Sequence, residues 1–266
     1  MEKFEAIFER KSVRDYSSDD ISEEGMSKIK DEISELSPLY EDIKSEIFVG
    51  EYGQKVQETF SGLKSKIAKV ESPHYLIGTS ESKEGYLENM GYILEELVLS
   101  LTQKELASCW LGAGLNEDLL EEIYDFEYDF VIMVAFGQAA KGKKNLRPDP
   151  NKAKRKPIDE LILNDTSELS KEWKKIMEAV RLAPSALNGQ PWRFYFDERG
   201  VHLFIDRGGI LKSTFKKITD LNKLNRIDAG IALKHLEIAA KKYSVDVKYE
   251  NVDIDKKGLE YIISVI

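Results

Sequence analysis

Cysteine is almost absent: Cys109 stands alone in 266 residues, which excludes an internal disulfide framework and any cysteine-rich metal site. Histidine is scarce as well. His74, His202 and His235 lie far apart with no H-E-x-x-H or comparable ligand spacing, so no metal is expected. The purest apolar run, Val131 to Phe136, is far too short to span a bilayer. The opening Met1-Glu2-Lys3-Phe4-Glu5 is too charged for a signal peptide. Positive charge is in deficit, 39 Lys and Arg against 48 Asp and Glu for a net charge of −9, which argues against a general nucleic-acid or anionic-membrane binder. The expectation is a cytoplasmic protein of a reducing compartment, with no nucleic-acid or membrane partner.

Apolar residues make up 42% and charged residues 33% of the chain, enough for a sizeable core under a solvated surface. The length suits one large unit or two half-units sharing a core. The pattern alternates helices and strands. Met26, Ile29, Ile33 and Leu36 form a helical stripe closed by Pro38; Ile47-Phe48-Val49 is a short strand; Val56, Phe60, Leu63 and Ile67 mark a second helix. His74 to Gly78 reads as a strand. Tyr86 to Leu106 is the longest helical pattern, and its wide apolar band predicts burial over much of its circumference. Phe130 to Phe136 has the character of a central strand covered on both faces.

Residues 138–170 are rich in Lys, Arg and Pro and read as an extended connection. The sequence then begins again. A helix over Trp173 to Leu182 ends at Ala183-Pro184, and strands Trp192 to Phe196 and Val201 to Ile205 flank a hairpin signal, Asp197-Glu198-Arg199-Gly200. A helix over Ile227 to Ala240 and strands at Val245-Asp246-Val247 and Tyr261 to Ile266 complete it. The second half echoes the first: Gly91-Tyr-Ile-Leu-Glu-Glu-Leu aligns with Gly230-Ile-Ala-Leu-Lys-His-Leu, and the helix before Pro38 with the helix before Pro184. The shared order of elements predicts an internal duplication, with halves at 1–163 and 164–266.

Two stretches could carry chemistry. Arg10-Lys11-Ser12-Val13-Arg14 sets three cations and a hydroxyl within a turn's length, donors suited to a phosphate monoester; composition alone reads it as a solvated basic turn. Ala183-Pro184-Ser185-Ala186-Leu187-Asn188-Gly189-Gln190-Pro191-Trp192 brackets small residues and two carboxamides with prolines, a stiff loop that a planar ligand could approach closely; read plainly, it is a helix stop and a turn.

Together, R-x-S-x-R and A-P-S-x-x-N-x-Q-P-W resemble the paired signatures of the FMN-dependent nitroreductase superfamily, in the branch that fuses two half-units into one chain. The resemblance implies an α+β fold: a mixed, largely antiparallel sheet with helices on both faces, the halves forming an intrachain pseudo-dimer. It implies that Arg10, Lys11, Ser12 and Arg14 grip the FMN phosphate and ribityl chain, helped by Lys154 and Arg155. Lys11 stands where many relatives have Arg. Pro184, Ser185, Ala186, Asn188 and Gln190 would cover the isoalloxazine, and Trp110, Leu111 and Gly112 would lie at its reactive edge. Each motif occurs once, so the resemblance implies one FMN per chain, and with the usual subunit contact filled internally, a monomer. It implies NAD(P)H as co-substrate and a nitroaromatic, quinone or similar small electrophile as acceptor. No catalytic side chain is marked. The alternatives are a flavin-binding protein without reductase turnover, or an enzyme of this fold with another redox reaction.

Overall fold

A computed structural model describes residues 1–60, 69–206 and 221–266. The expected helix positions Leu63 and Ile67 lie outside the described residues. The chain divides into two compact units, Met1–Pro148 and Asp149–Ile266. This break falls ahead of residue 163 because the segment before it joins the second unit: Ile162 pairs parallel with Phe194, and the Leu163 N–H donates to the Phe194 carbonyl at 2.8 Å.

The first unit runs α1 (Lys3–Glu9), α2 (Glu23–Ser34), β1 (Ser45–Gly50), α3 (Gly53–Glu58), β2 (His74–Ser80), α4 (Tyr86–Gln103), β3 (Ala107–Leu111), α5 (Glu117–Ile123) and β4 (Asp129–Gly137). Its strands form an antiparallel sheet in the order β1-β2-β4-β3. Strand side chains alternate between faces. Phe48, Ile77, Met133 and Leu111 line up across the sheet, as do Tyr75, Ala135 and Cys109, and this face packs on Val56, Phe60 and Leu120. The opposite face receives α4, tightly enough that a Cβ on Gly78 would sit 2.4 Å from Met90 Sδ. Leu94, Leu97 and Val98 of α4 are buried, each worth roughly 1.5–3 kcal/mol of apolar burial.

The second unit contains α6 (Ile158–Leu161), α7 (Lys171–Arg181), β5 (Trp192–Asp197), β6 (Gly200–Asp206), α8 (described from Leu221 to Lys242), β7 (Tyr249–Glu250) and β8 (Leu259–Val265). Its sheet is antiparallel in the order β5-β6-β8-β7. Relative to the chain this is the strand order of the first sheet, with a long helix in the same place. Each sheet even shifts register between its second and fourth strands, at Gly78/Thr79 and at Leu203/Phe204. Gly200 opens β6 at φ +138, and a Cβ there would lie 2.2 Å from the Val265 carbonyl oxygen on the neighbouring β8, so the position requires glycine.

Three elements differ from the sequence pattern. The long helix stops at Gln103 rather than Leu106: Glu105 takes φ +58, the Leu106 N–H returns to the Leu101 carbonyl, and the chain turns into β3. The strand expected at Val245-Asp246-Val247 begins later, at Tyr249, because Val245 N–H closes the end of α8 on Ala240 O. The basic connection is not wholly irregular, since it contains the short helix α6. Among the described residues, no helix is long and apolar enough to cross a membrane.

Candidate functional site

In the first unit, α1 ends at Arg10, whose backbone is extended (φ −59, ψ 135). The following residues run as a ribbon between β3 and residues 138–147. Ser12 pairs parallel with Ser108, the Val13 N–H donates to the Ser108 carbonyl at 3.0 Å, and Arg10 and Tyr16 pair antiparallel with Leu146 and Ala139. The outcome for each cation differs. Arg14 is exposed, Lys11 and Ser12 are half-buried, and Arg10 is only 2% exposed.

Arg10 buries Nε and Nη1 without a hydrogen-bond partner. Burial lowers its pKa, and attraction to Glu95 on α4 opposes that shift. Orphan donors on a buried guanidinium are costly, about 1–3 kcal/mol for each unsatisfied group and more when charged. An oxyanion or carbonyl ligand would satisfy them. Glu95 itself is buried and accepts the indole N–H of Trp110 at 3.0 Å, so it links the Arg10 turn to the end of β3, where Leu111 is buried and Gly112 exposed. The sequence reading missed Glu95; its signal is a carboxylate inside the apolar band of α4.

Cys109 lies in the core beneath this site. Burial raises its pKa, only partly offset by Arg14 and Arg10, so it stays a thiol. The histidines are engaged elsewhere. His74 bonds Glu51 O and the Ile21 N–H, His202 lies between Asp197 and Ser264, and His235 bonds Ala179 O.

In the second unit, the loop between α7 and β5 has unusual backbone. Leu187, Asn188 and Gln190 take φ of +53, +54 and +44, left-handed values that cost non-glycine residues roughly 1–2 kcal/mol each. Side chains hold it there. Ser185 Oγ accepts from Gln190 N–H at 3.0 Å, and the Gln190 amide donates to Arg181 O at 3.1 Å while accepting from Lys156 N–H at 2.7 Å. Asn188 donates to Lys154 O at 2.9 Å and accepts from the Arg155 guanidinium. Lys154 and Arg155 are thus gathered against Asn188 in this unit. Gln190 is fully buried, with both ends of its carboxamide bonded within the protein. Pro184 is buried, Ser185 and Ala186 half-buried, and Leu187 stands 72% exposed at the tip.

One further contact was not expected. Asp228 on α8 is 4% exposed, and both its carboxyl oxygens lie 3.1 Å from the Ala186 N–H. Burial raises its pKa well above the ordinary carboxylate range, with only that N–H opposing. The signal for it was an acid between apolar neighbours, Ile227 and Ala229, in a helix otherwise buried there. Among the described residues, no group of three His, Cys, Asp or Glu side chains could hold a metal ion.

The fold is the nitroreductase fold. A solved structure of a putative nitroreductase from Thermotoga maritima MSB8 is similar over 100% of this chain and 94% of its own, at 23% identity and a TM-score of 0.66. A nitroreductase family protein from Clostridium difficile 630 matches 62% of this chain with 99% of its own, at 16% identity and a TM-score of 0.49. A nitroreductase with bound FMN from Bacteroides fragilis NCTC 9343 matches 54% of this chain with 91% of its own, at 18% identity and a TM-score of 0.45. No curated protein matches. The chain belongs to the putative TM nitroreductase family, whose model matches residues 2–240.

Proposed function

We propose that this protein binds one FMN per chain and is an NAD(P)H-dependent oxidoreductase of nitroreductase type, passing electrons to a nitroaromatic, quinone or similar small electrophile. Family membership supports the oxidoreductase class. The observation that carries the cofactor is the buried Arg10 guanidinium with two donors lacking a partner, set in an R-x-S-x-R turn. Bound FMN would supply the hydride-accepting and hydride-donating ring, chemistry that no side chain here offers.

The residues have distinct tasks in this reading. Arg10 gives the forked donors, Arg14 and Lys11 the charge, and Ser12 a short hydrogen bond to the phosphate and ribityl chain. Trp110 and Leu111 end β3 and Gly112 follows it with exposed backbone, which suits a ring edge. The Pro184–Gln190 loop supplies a cover, its conformation fixed in advance by Lys154, Arg155 and Lys156. Asn188 and Gln190 act here through that fixed conformation, because their carboxamides are bonded to the loop's own surroundings. Each chain carries one cationic turn and one such loop, in keeping with one FMN per chain. The similar strand order of the two units supports a duplicated origin, and this reading takes the chain to act as a monomer.

Purified protein should show flavin absorbance, or acquire it on adding FMN, at one equivalent per chain. Anaerobic NADH or NADPH should bleach it, and a nitroaromatic or quinone should restore the colour. Protein that binds no FMN refutes the reading; protein that binds FMN but resists both nicotinamides is a flavin carrier instead.

A further inference from the structure

Asp228 is out of place on every local ground. Aspartate is a poor residue for a helix interior, and a carboxyl group is costly to bury without partners. Yet it sits on α8 between Ile227 and Ala229, and its hydrogen bonds go to a single group, the Ala186 N–H, which both oxygens share at 3.1 Å. Ala186 is the first residue of the one-turn helix Ala186–Asn188. Ser185, which precedes it, does not cap that turn, because its hydroxyl accepts from Gln190 N–H instead. The uncapped N–H is therefore held from outside by Asp228. The other side-chain hydrogen bonds that fix the loop join it to residues 154–156, to the end of α7 and to Arg193 on β5, whose Nη1 donates to the Gln190 carbonyl at 3.0 Å. Asp228 alone among them ties the loop to the long helix.

We infer that Asp228 is the positioning residue of the flavin-covering loop: by holding the Ala186 N–H it fixes the left-handed Leu187-Asn188 step against α8 and thereby sets flavin affinity and reduction potential. This rests on the FMN reading above. It is an indirect role, acting through Ala186.

The test uses the full chain. Asp228→Ala should weaken FMN binding at least tenfold and shift the flavin midpoint potential, and Asp228→Asn, whose amide oxygen accepts the same N–H, should recover most of both. Ala186→Pro deletes the N–H from the other side, and Ser185 is already extended (φ −150, ψ 156), as a residue before proline must be. Combined with Asp228→Ala, it should add little to either single change. Hydrogen exchange read on residues 184–190 in FMN-free protein should accelerate in Asp228→Ala and not in Asp228→Asn. That arm stands even if wild-type protein binds no FMN, which would defeat the flavin reading alone. The inference is overturned if folded Asp228→Ala keeps wild-type exchange in the loop, or if it binds FMN within twofold of wild type at an unchanged potential. If Asp228→Ala does not fold, additive losses in Ala186→Pro with Asp228→Asn overturn it instead.

Discussion

Replacing Arg10 by lysine separates a structural arginine from a ligand-holding one. Arg10 is 2% exposed, and its guanidinium is drawn to Glu95 and leaves Nε and Nη1 without partners. Lysine keeps the charge and its attraction to Glu95 but removes the fork. In the FMN-free protein two effects oppose each other: the relief of two orphan donors, about 1–3 kcal/mol each, and the loss of packing around a flat group. The unfolding free energy should therefore stay within about 2 kcal/mol of wild type in urea titration. Binding should not be spared. Losing one charged hydrogen bond to the cofactor costs about 1.5–3 kcal/mol, a rise in Kd of roughly 10- to 150-fold, read by quenching of FMN fluorescence. If Arg10→Lys binds FMN within threefold of wild type, or destabilises the FMN-free protein by much more than this while leaving affinity unchanged, Arg10 is structural and the orphan donors mean something else.

Other perturbations probe the remaining parts. Asn188→Ala removes the bonds to Lys154 O and the Arg155 guanidinium; stability should fall by about 1 kcal/mol and FMN affinity with it, and unchanged affinity would exclude the second unit's loop from flavin binding. Asp228 titrates above its unfolded value of about 3.9, so the native state holds the proton more tightly. Its contribution is full below that value and is lost as pH rises towards the raised native pKa. The stability difference between wild type and Asp228→Asn should accordingly drift against wild type at up to about 1.4 kcal/mol per pH unit in that window; a pH-independent difference refutes the buried-acid assignment. Gly53→Ala would place a Cβ 2.0 Å from the Ser72 carbonyl oxygen, a backbone atom that cannot swing aside. It should cost about 2–3 kcal/mol by chemical denaturation, and a neutral result would mean the α3–β2 approach is looser than described.

Much of the architecture follows from local pattern. The apolar stripe Leu87, Met90, Leu94, Leu97 and Leu101 marks α4, and Asp197 to Gly200 marks the hairpin, because periodicity and turn chemistry depend on near neighbours only. The strand β3 was harder to read: Ala107 to Leu111 follows a long helix without a proline, and only the left-handed Glu105 separates them. The two-residue β7 was misplaced because closure of α8 by Val245 uses up residues that look β-like on their own.

By itself the sequence determined the two signature stretches, their assignment to different halves and the repeated order of elements. All three are matters of residue type and spacing along the chain. Only the tertiary structure decided that Arg10 alone among its neighbouring cations is buried, that Glu95 lies beside it, that the Asn188 and Gln190 carboxamides are spent on residues 154–156 and Arg181, and that Asp228 holds Ala186. Burial and hydrogen-bond partners are set by segments tens of residues apart meeting in space, and no local pattern encodes which of several similar side chains loses its water.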